Sequence, residues 1–172
     1  MSQRLPARVD PRRLAREGRQ LAGRLPLASM QRLGPYLHGT EGEVEVELAF
    51  GIDVVGITYV RGSARARVEL VCQRCLEPMA AELEAQFALG VVASEREGEQ
   101  LPETYEPLVA GDEPIQLAGV IEDELILAMP IIARHRLEEC PASERASASV
   151  SGPEAGADSH PFAILKKLKT KH

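Results

Sequence analysis

Cys72 and Cys75, in the run Val71-Cys72-Gln73-Arg74-Cys75-Leu76-Glu77-Pro78, are the residues of this chain best suited to chemistry. Two thiolates at this spacing converge on one ion when a tight turn carries them, and supply half of a tetrahedral metal site. His135 and Cys140 offer the other half. Zinc bound by all four would have three sulfurs and one nitrogen, a closed structural combination with no open position for a substrate. Such a site would staple the turn carrying the CxxC to the segment around residue 135. Two other readings stand beside it. Cys72 could be a buried strand residue, Cys75 a turn residue and Cys140 a loop thiol, with no metal at all. Alternatively Cys72 and Cys75 could exchange a disulfide, although redox pairs of the thioredoxin type precede a helix in a βαβ setting.

The elements that must position these thiols are strands. Upstream, Ala64, Ala66, Val68, Leu70 and Cys72 alternate with Ser63, Arg65, Arg67, Glu69 and Val71. Downstream, Leu83, Ala85, Phe87, Leu89 and Val91 alternate with Glu82, Glu84, Gln86 and Ala88. Period-two alternation on both sides of a short break predicts strand, turn, strand, with the CxxC at a hairpin tip. Residues 42–50 alternate in the same way, Val44, Val46, Leu48 and Phe50 against Glu43, Glu45 and Glu47, which predicts a half-buried strand with an acidic outer face. Ile52 to Val60 reads as a further strand interrupted by Gly56. Four consecutive strands with short links imply an antiparallel meander.

Helices flank it. Asp10-Pro11 is an N-cap followed by proline at the first helical position, and Leu14, Gly18 and Leu21 form a thin apolar stripe behind it. Ser29 caps a second short helix with Met30, Leu33 and Leu37 inward, ended at Gly34-Pro35 and Gly39. Glu95 to Asp112 reads as an acidic loop. Leu117 to Met129 is the strongest helix: Leu117, Val120, Ile121, Leu125 and Ala128 share one face, Glu122, Asp123 and Glu124 face solvent, and Pro130 ends it. Ile131 and Ile132 continue extended toward His135. The expected architecture is one α+β domain over 1–140. Residues 141–159, rich in Ala, Ser and Gly, form a disordered linker. Residues 160–172 form a short basic amphipathic helix with Phe162, Leu165 and Leu168 on one side, a surface suited to a protein partner.

Composition narrows the function. The 172 residues fit one domain with tails. With no Trp, three Tyr and three Phe, the chain is poor in rings for stacking single-stranded bases. No apolar leader opens the chain and no run approaches a membrane span. The arginine-rich start could be a transit peptide, but Asp10-Pro11 looks like an ordinary helix start. Three cysteines are too few for a disulfide scaffold, so a cytoplasmic protein with reduced thiols is expected. Adjacent acids on a helix diverge, so Glu122-Asp123-Glu124 is not a catalytic pair. No GxSxG, Walker loop or dinucleotide fingerprint is present. A non-enzyme is expected.

The net charge of −6 hides basic ends. Residues 1–40 hold eight arginines against Asp10 and Glu17, a net +6, and the last twelve residues add four lysines. Arg12, Arg13, Arg16 and Arg19, with Lys166, Lys167, Lys169 and Lys171, are candidate RNA contacts, because arginine forks and lysines bind phosphates without regard to sequence. A charged helix packed on the acidic sheet of its own chain would look the same.

Read in order, the chain resembles the YceD family of large ribosomal RNA subunit accumulation proteins. The resemblance is carried by the Asp10-Pro11 start, the Val68-to-Pro78 block, Leu101-Pro102-Glu103-Thr104-Tyr105-Glu106-Pro107, the run Val120 to Pro130, His135, Cys140 and Pro161-Phe162-Ala163-Ile164-Leu165. His160 stands where asparagine is expected before Pro161, and the linker has its own composition. The resemblance implies a cytoplasmic bacterial factor that supports synthesis, processing or stability of large-subunit (23S) rRNA, with a pre-ribosomal particle as partner, no membrane and no small-molecule substrate. It supplies no catalytic residues. The alternative is a zinc-stabilised protein–protein adaptor that acts on rRNA indirectly; a thiol redox sensor is a third possibility.

Overall fold

The computed structural model describes residues 5–111 and 113–142. The chain divides into two units, Met1–Arg134 and His135–His172. The expected linker from 143 onward and the basic terminal helix lie outside the described residues.

The first unit opens with β1 (Arg8–Val9), α1 (Pro11–Arg16) and β2 (Gln20–Pro26). The Asp10 side chain accepts from Arg13 N, the expected cap. The helix is shorter than its pattern suggested. Gly18 takes φ 59°, a left-handed conformation that ends the helix, and Leu21 belongs to β2. No helix begins at Ser29. Leu27–Ser29 and Gly34–Tyr36 are single 3-10 turns, and the Ser29 hydroxyl donates back to Pro26 O. Met30 and Leu33 are nonetheless fully buried, so the apolar spacing was meaningful even though the helix was not.

The sheet order is β2–β3–β4–β5–β6, with β3 at Glu43–Ile52, β4 at Thr58–Val71, β5 at Pro78–Val92 and β6 at Glu106–Val109. The first four form the antiparallel meander. The segment from Ile52 to Val60 is not a separate strand: Asp53–Ile57 is a tight turn and Thr58 begins one long strand ending at the CxxC. The acidic loop contains a helical turn, α2 (Glu95–Gly98), and β6, which pairs with β5 in parallel. Two short strands, β1 and β7 (Ile115–Gln116), pair beside the start of α3 (Leu117–Leu127).

One sheet face is apolar. Val44, Val46, Leu48 and Phe50 meet Ala64, Ala66, Val68 and Leu70, then Leu83, Ala85, Phe87 and Leu89, all buried. Pro11, Leu14 and Ala15 of α1 and Leu117, Ile121 and Leu125 of α3 join this core. Burial of such side chains contributes about 1.5–3 kcal/mol each. The outer face is charged and striped: Glu45 sits opposite Arg65, which sits opposite Glu84. Arg65 binds Glu84 at 2.7 Å and Arg24 binds Glu45 at 2.8 Å. Cross-strand pairs of opposite sign add a few tenths of a kcal/mol each. Among the described residues no helix is long and apolar enough to cross a membrane.

Gly62 lies in β4 opposite Leu48 and Phe87. A Cβ there would stand 2.6 Å from Glu47 O and 2.9 Å from Phe87 Cζ. Gly62→Ala should therefore lower stability by about 2 kcal/mol, the usual effect of overpacking, measured by denaturant unfolding. An unchanged midpoint would show that the strands can part without loss.

The turn between β3 and β4 is pinned by Asp53. Its Oδ1 accepts from Val55 N at 3.0 Å and Ile57 N at 2.8 Å, and Tyr105 Oη donates to Oδ2 at 3.2 Å. Desolvation raises the carboxyl pKa, but the bonds from Ile57, Val55 and Tyr105 outweigh it and hold the group below its ordinary value. A depressed carboxyl stabilises the fold fully above its unfolded-state value, near pH 4, and loses that contribution as pH falls through the folded value. Asp53→Asn should flatten the acid limb of a melting-temperature profile below about pH 4. An identical slope in both proteins would count against this role.

Candidate functional site

The turn between β4 and β5 is built to hold sulfur. Cys72 N donates to Glu77 O at 2.9 Å, and Leu76 N donates to Cys72 O at 2.8 Å. Leu76 closes the turn at φ 64°, a left-handed conformation that costs about 1–2 kcal/mol outside glycine. Arg74 N points at Cys72 Sγ, 3.5 Å away, the kind of outer-shell bond that orients a metal thiolate. Gln73 N donates to Ala133 O at 2.8 Å, which fixes the turn against the chain leaving α3. Pro78 then starts β5 opposite Val71.

The ligand atoms of Cys72, Cys75, His135 and Cys140 all lie within 4.8 Å of one another. Cys72 and Cys140 are buried and the other two partly so. No disulfide joins the cysteines. Sulfurs about 2.3 Å from a tetrahedral zinc stand about 3.8 Å apart, a spacing compatible with that bound. Three soft sulfurs and an imidazole suit zinc better than calcium or magnesium, which take oxygen. The four residues could hold a metal ion.

The basic residues separate into two groups. Arg24 pairs with Glu43 and Glu45, and Arg32 with Glu122 and Asp123, so these are absorbed by their own chain. Arg12, Arg13 and Arg16 lie on α1, and Arg19 follows it in the link to β2. Arg12 donates to Ala110 O at 3.4 Å and Arg16 Nε to Arg12 O at 3.3 Å. Among the described residues none of these four forms an ion pair. Lys166, Lys167, Lys169 and Lys171, and Phe162, Leu165 and Leu168, lie outside the described residues.

The acidic run of α3 is not a uniformly solvated face. Glu122 is only 5% exposed, and its Oε1 accepts from the backbone N–H groups of Arg32 and Leu33. Asp123 pairs with Arg32 at the surface. Burial, with Glu106 and Asp123 nearby, pushes the Glu124 carboxyl up. The three carboxylates thus serve separate surroundings. The partners of Glu122 are about 90 residues away, beyond any local pattern. Ile131 and Ile132, expected in an extended run, sit in bends and are exposed.

A largely antiparallel sheet whose hairpin tip bears half of a clustered Cys3His set describes a small α+β protein with a candidate metal knuckle. Its residues 60–169, which include Cys72, Cys75, His135 and Cys140, match the family model described as large ribosomal RNA subunit accumulation protein YceD. The chain is also 34% identical over 170 residues, 98% of each chain, to a Haemophilus influenzae protein named large ribosomal RNA subunit accumulation protein YceD. The chain belongs to the YceD family. No solved structure matches it.

Proposed function

We propose that this chain is a non-enzymatic accessory factor of ribosome biogenesis, acting in the cytoplasm to support accumulation of large-subunit (23S) rRNA. The observation that carries this reading is the end-to-end similarity to a relative named for that role. The divergent surroundings of Glu122, Asp123 and Glu124 support a role without acid–base chemistry. The mechanism is direct RNA contact through Arg12, Arg13, Arg16 and Arg19, joined by the terminal lysines. Support comes from the α1 arginines, which form no ion pair among the described residues, whereas Arg24 and Arg32 do. Cys72, Cys75, His135 and Cys140 would hold zinc as a structural ion: four protein ligands would complete a tetrahedron and leave no position for a substrate.

A second reading makes the protein an adaptor. Leu76, Leu127 and Ile131 are 75%, 72% and 96% exposed, and large exposed apolar side chains favour protein contact. Binding of purified protein to large-subunit rRNA fragments across a salt series separates the two. Direct contact predicts affinity that falls steeply with log salt, with a slope set by the number of phosphates neutralised. No binding even at low salt would overturn direct contact in favour of the adaptor.

A further inference from the structure

Resting on the RNA-contact reading above, we infer that the outer face of the sheet carries a nucleotide-binding platform centred on Arg61, which takes single-stranded RNA. Arg61 differs from its neighbours on that face. Arg24 and Arg65 are each held by two carboxylates. Arg61 has no ion-pair partner among the described residues, and the acidic rows stop beside it: its register neighbours are Ala49 on β3 and Ala88 on β5. Two tyrosines hold it instead. The guanidinium carbon lies 4.8 Å from the Tyr59 ring centre and 5.6 Å from that of Tyr105, and Nη2 donates to Tyr105 Oη at 3.1 Å. Tyr105 is fixed in turn by its bond to Asp53. Tyr59 lies down on Gly51, where an added Cβ would come within 2.5 Å of the phenol oxygen.

An exposed guanidinium held against rings is preorganised, so little rotamer entropy remains to be lost on binding. Unstacked RNA bases stack on arginine planes and tyrosine rings, and the remaining N–H fork suits phosphate oxygens. Beside Arg61 runs a trough of about 560 Å³ bordered by Gln20, Ala22, Ala49 and Ser63. An adjoining cleft of about 570 Å³ shares Gln20 and Ala49, and reaches Tyr59 and Arg16 of α1. These volumes lie in the range of ligand clefts. Glu47 and Glu17 border them as well, so charge alone attracts weakly and stacking must carry much of the selectivity. A duplex keeps its bases stacked and offers no free ring, and an acidic protein segment would satisfy the charge but not the plane.

The test is fluorescence anisotropy of a labelled uridine-rich oligonucleotide with the full chain at low salt. Arg61→Lys keeps the charge and loses the plane, and Tyr59→Leu loses the ring. Each should weaken binding roughly tenfold, the scale of one stacked base, whereas Tyr59→Phe should bind like wild type. The oligonucleotide should quench tyrosine emission in wild type and less in Tyr59→Leu. Arg61→Lys, at an exposed position, should melt with wild type and decides the matter if Tyr59→Leu unfolds. Wild-type binding with Arg61→Lys unchanged would overturn the platform and leave RNA contact elsewhere standing. No wild-type binding would overturn both. Displacement by polyglutamate at equal charge, with the same losses in both variants, would overturn the platform in favour of an acidic protein partner.

Discussion

Protein purified without chelator is expected to carry about one zinc per chain by elemental analysis, and Cys72→Ser is expected to remove it. The ligand atoms already cluster within 4.8 Å, and metal that binds only the folded chain stabilises it by mass action. At free zinc a thousandfold above its dissociation constant the linkage is about 4 kcal/mol, or roughly 10 °C of melting temperature for a domain of this size. Chelation of the wild type should lower the melting point by a similar amount, and Cys140→Ser should reproduce the loss from a different part of the sequence. Chelator should have little further effect on either variant. Metal-free wild type with reduced thiols and an unaltered melting point would refute the site.

Glu122→Ala should lower stability by about 3 kcal/mol. The carboxylate is buried, and it receives the N–H of Leu33, a fully buried residue, at 2.9 Å. It also receives Arg32 N and, through its second oxygen, Arg32 Nε at 3.2 Å. Arg32 reaches onward to Asp123 and to Gly119 O at 3.0 Å, so one glutamate organises the contact between α3 and the 27–36 segment. Truncation leaves the buried Leu33 N–H, and the partly buried Arg32 N–H, without their acceptor, and a buried orphan costs about 1–3 kcal/mol. Glu122→Gln keeps an oxygen for the two backbone N–H groups and should lose roughly half as much. Thermal melts of both variants check this. A Glu122→Ala protein within 0.5 °C of wild type would contradict it.

The parts of the fold legible in the sequence are those governed by a period of two. The alternation over Ala64–Cys72 and Leu83–Val91 located the CxxC at a hairpin tip because each strand buries one face against the same core. Local interruptions misled. Gly56 is a turn residue at φ 91°, while Gly62 sits in mid-strand to make room for Leu48 and Phe87, and a sequence cannot distinguish the two roles. β6 was hidden because four residues containing Pro107 look like loop until β5 supplies their partner. Ligand types were readable at Cys72, Cys75, His135 and Cys140, but convergence of their atoms depends on how the chain returns. The scarcity of aromatic residues argued against base stacking, yet two of the three tyrosines meet at Arg61. Composition counts rings and says nothing of where they gather.

A role in rRNA accumulation is tested most directly by the ratio of mature large-subunit to small-subunit rRNA in cells with the gene deleted and then restored. The ratio should fall on deletion, with precursor levels altered, and recover with the wild-type gene. An unchanged ratio and unchanged precursors after deletion would contradict the account.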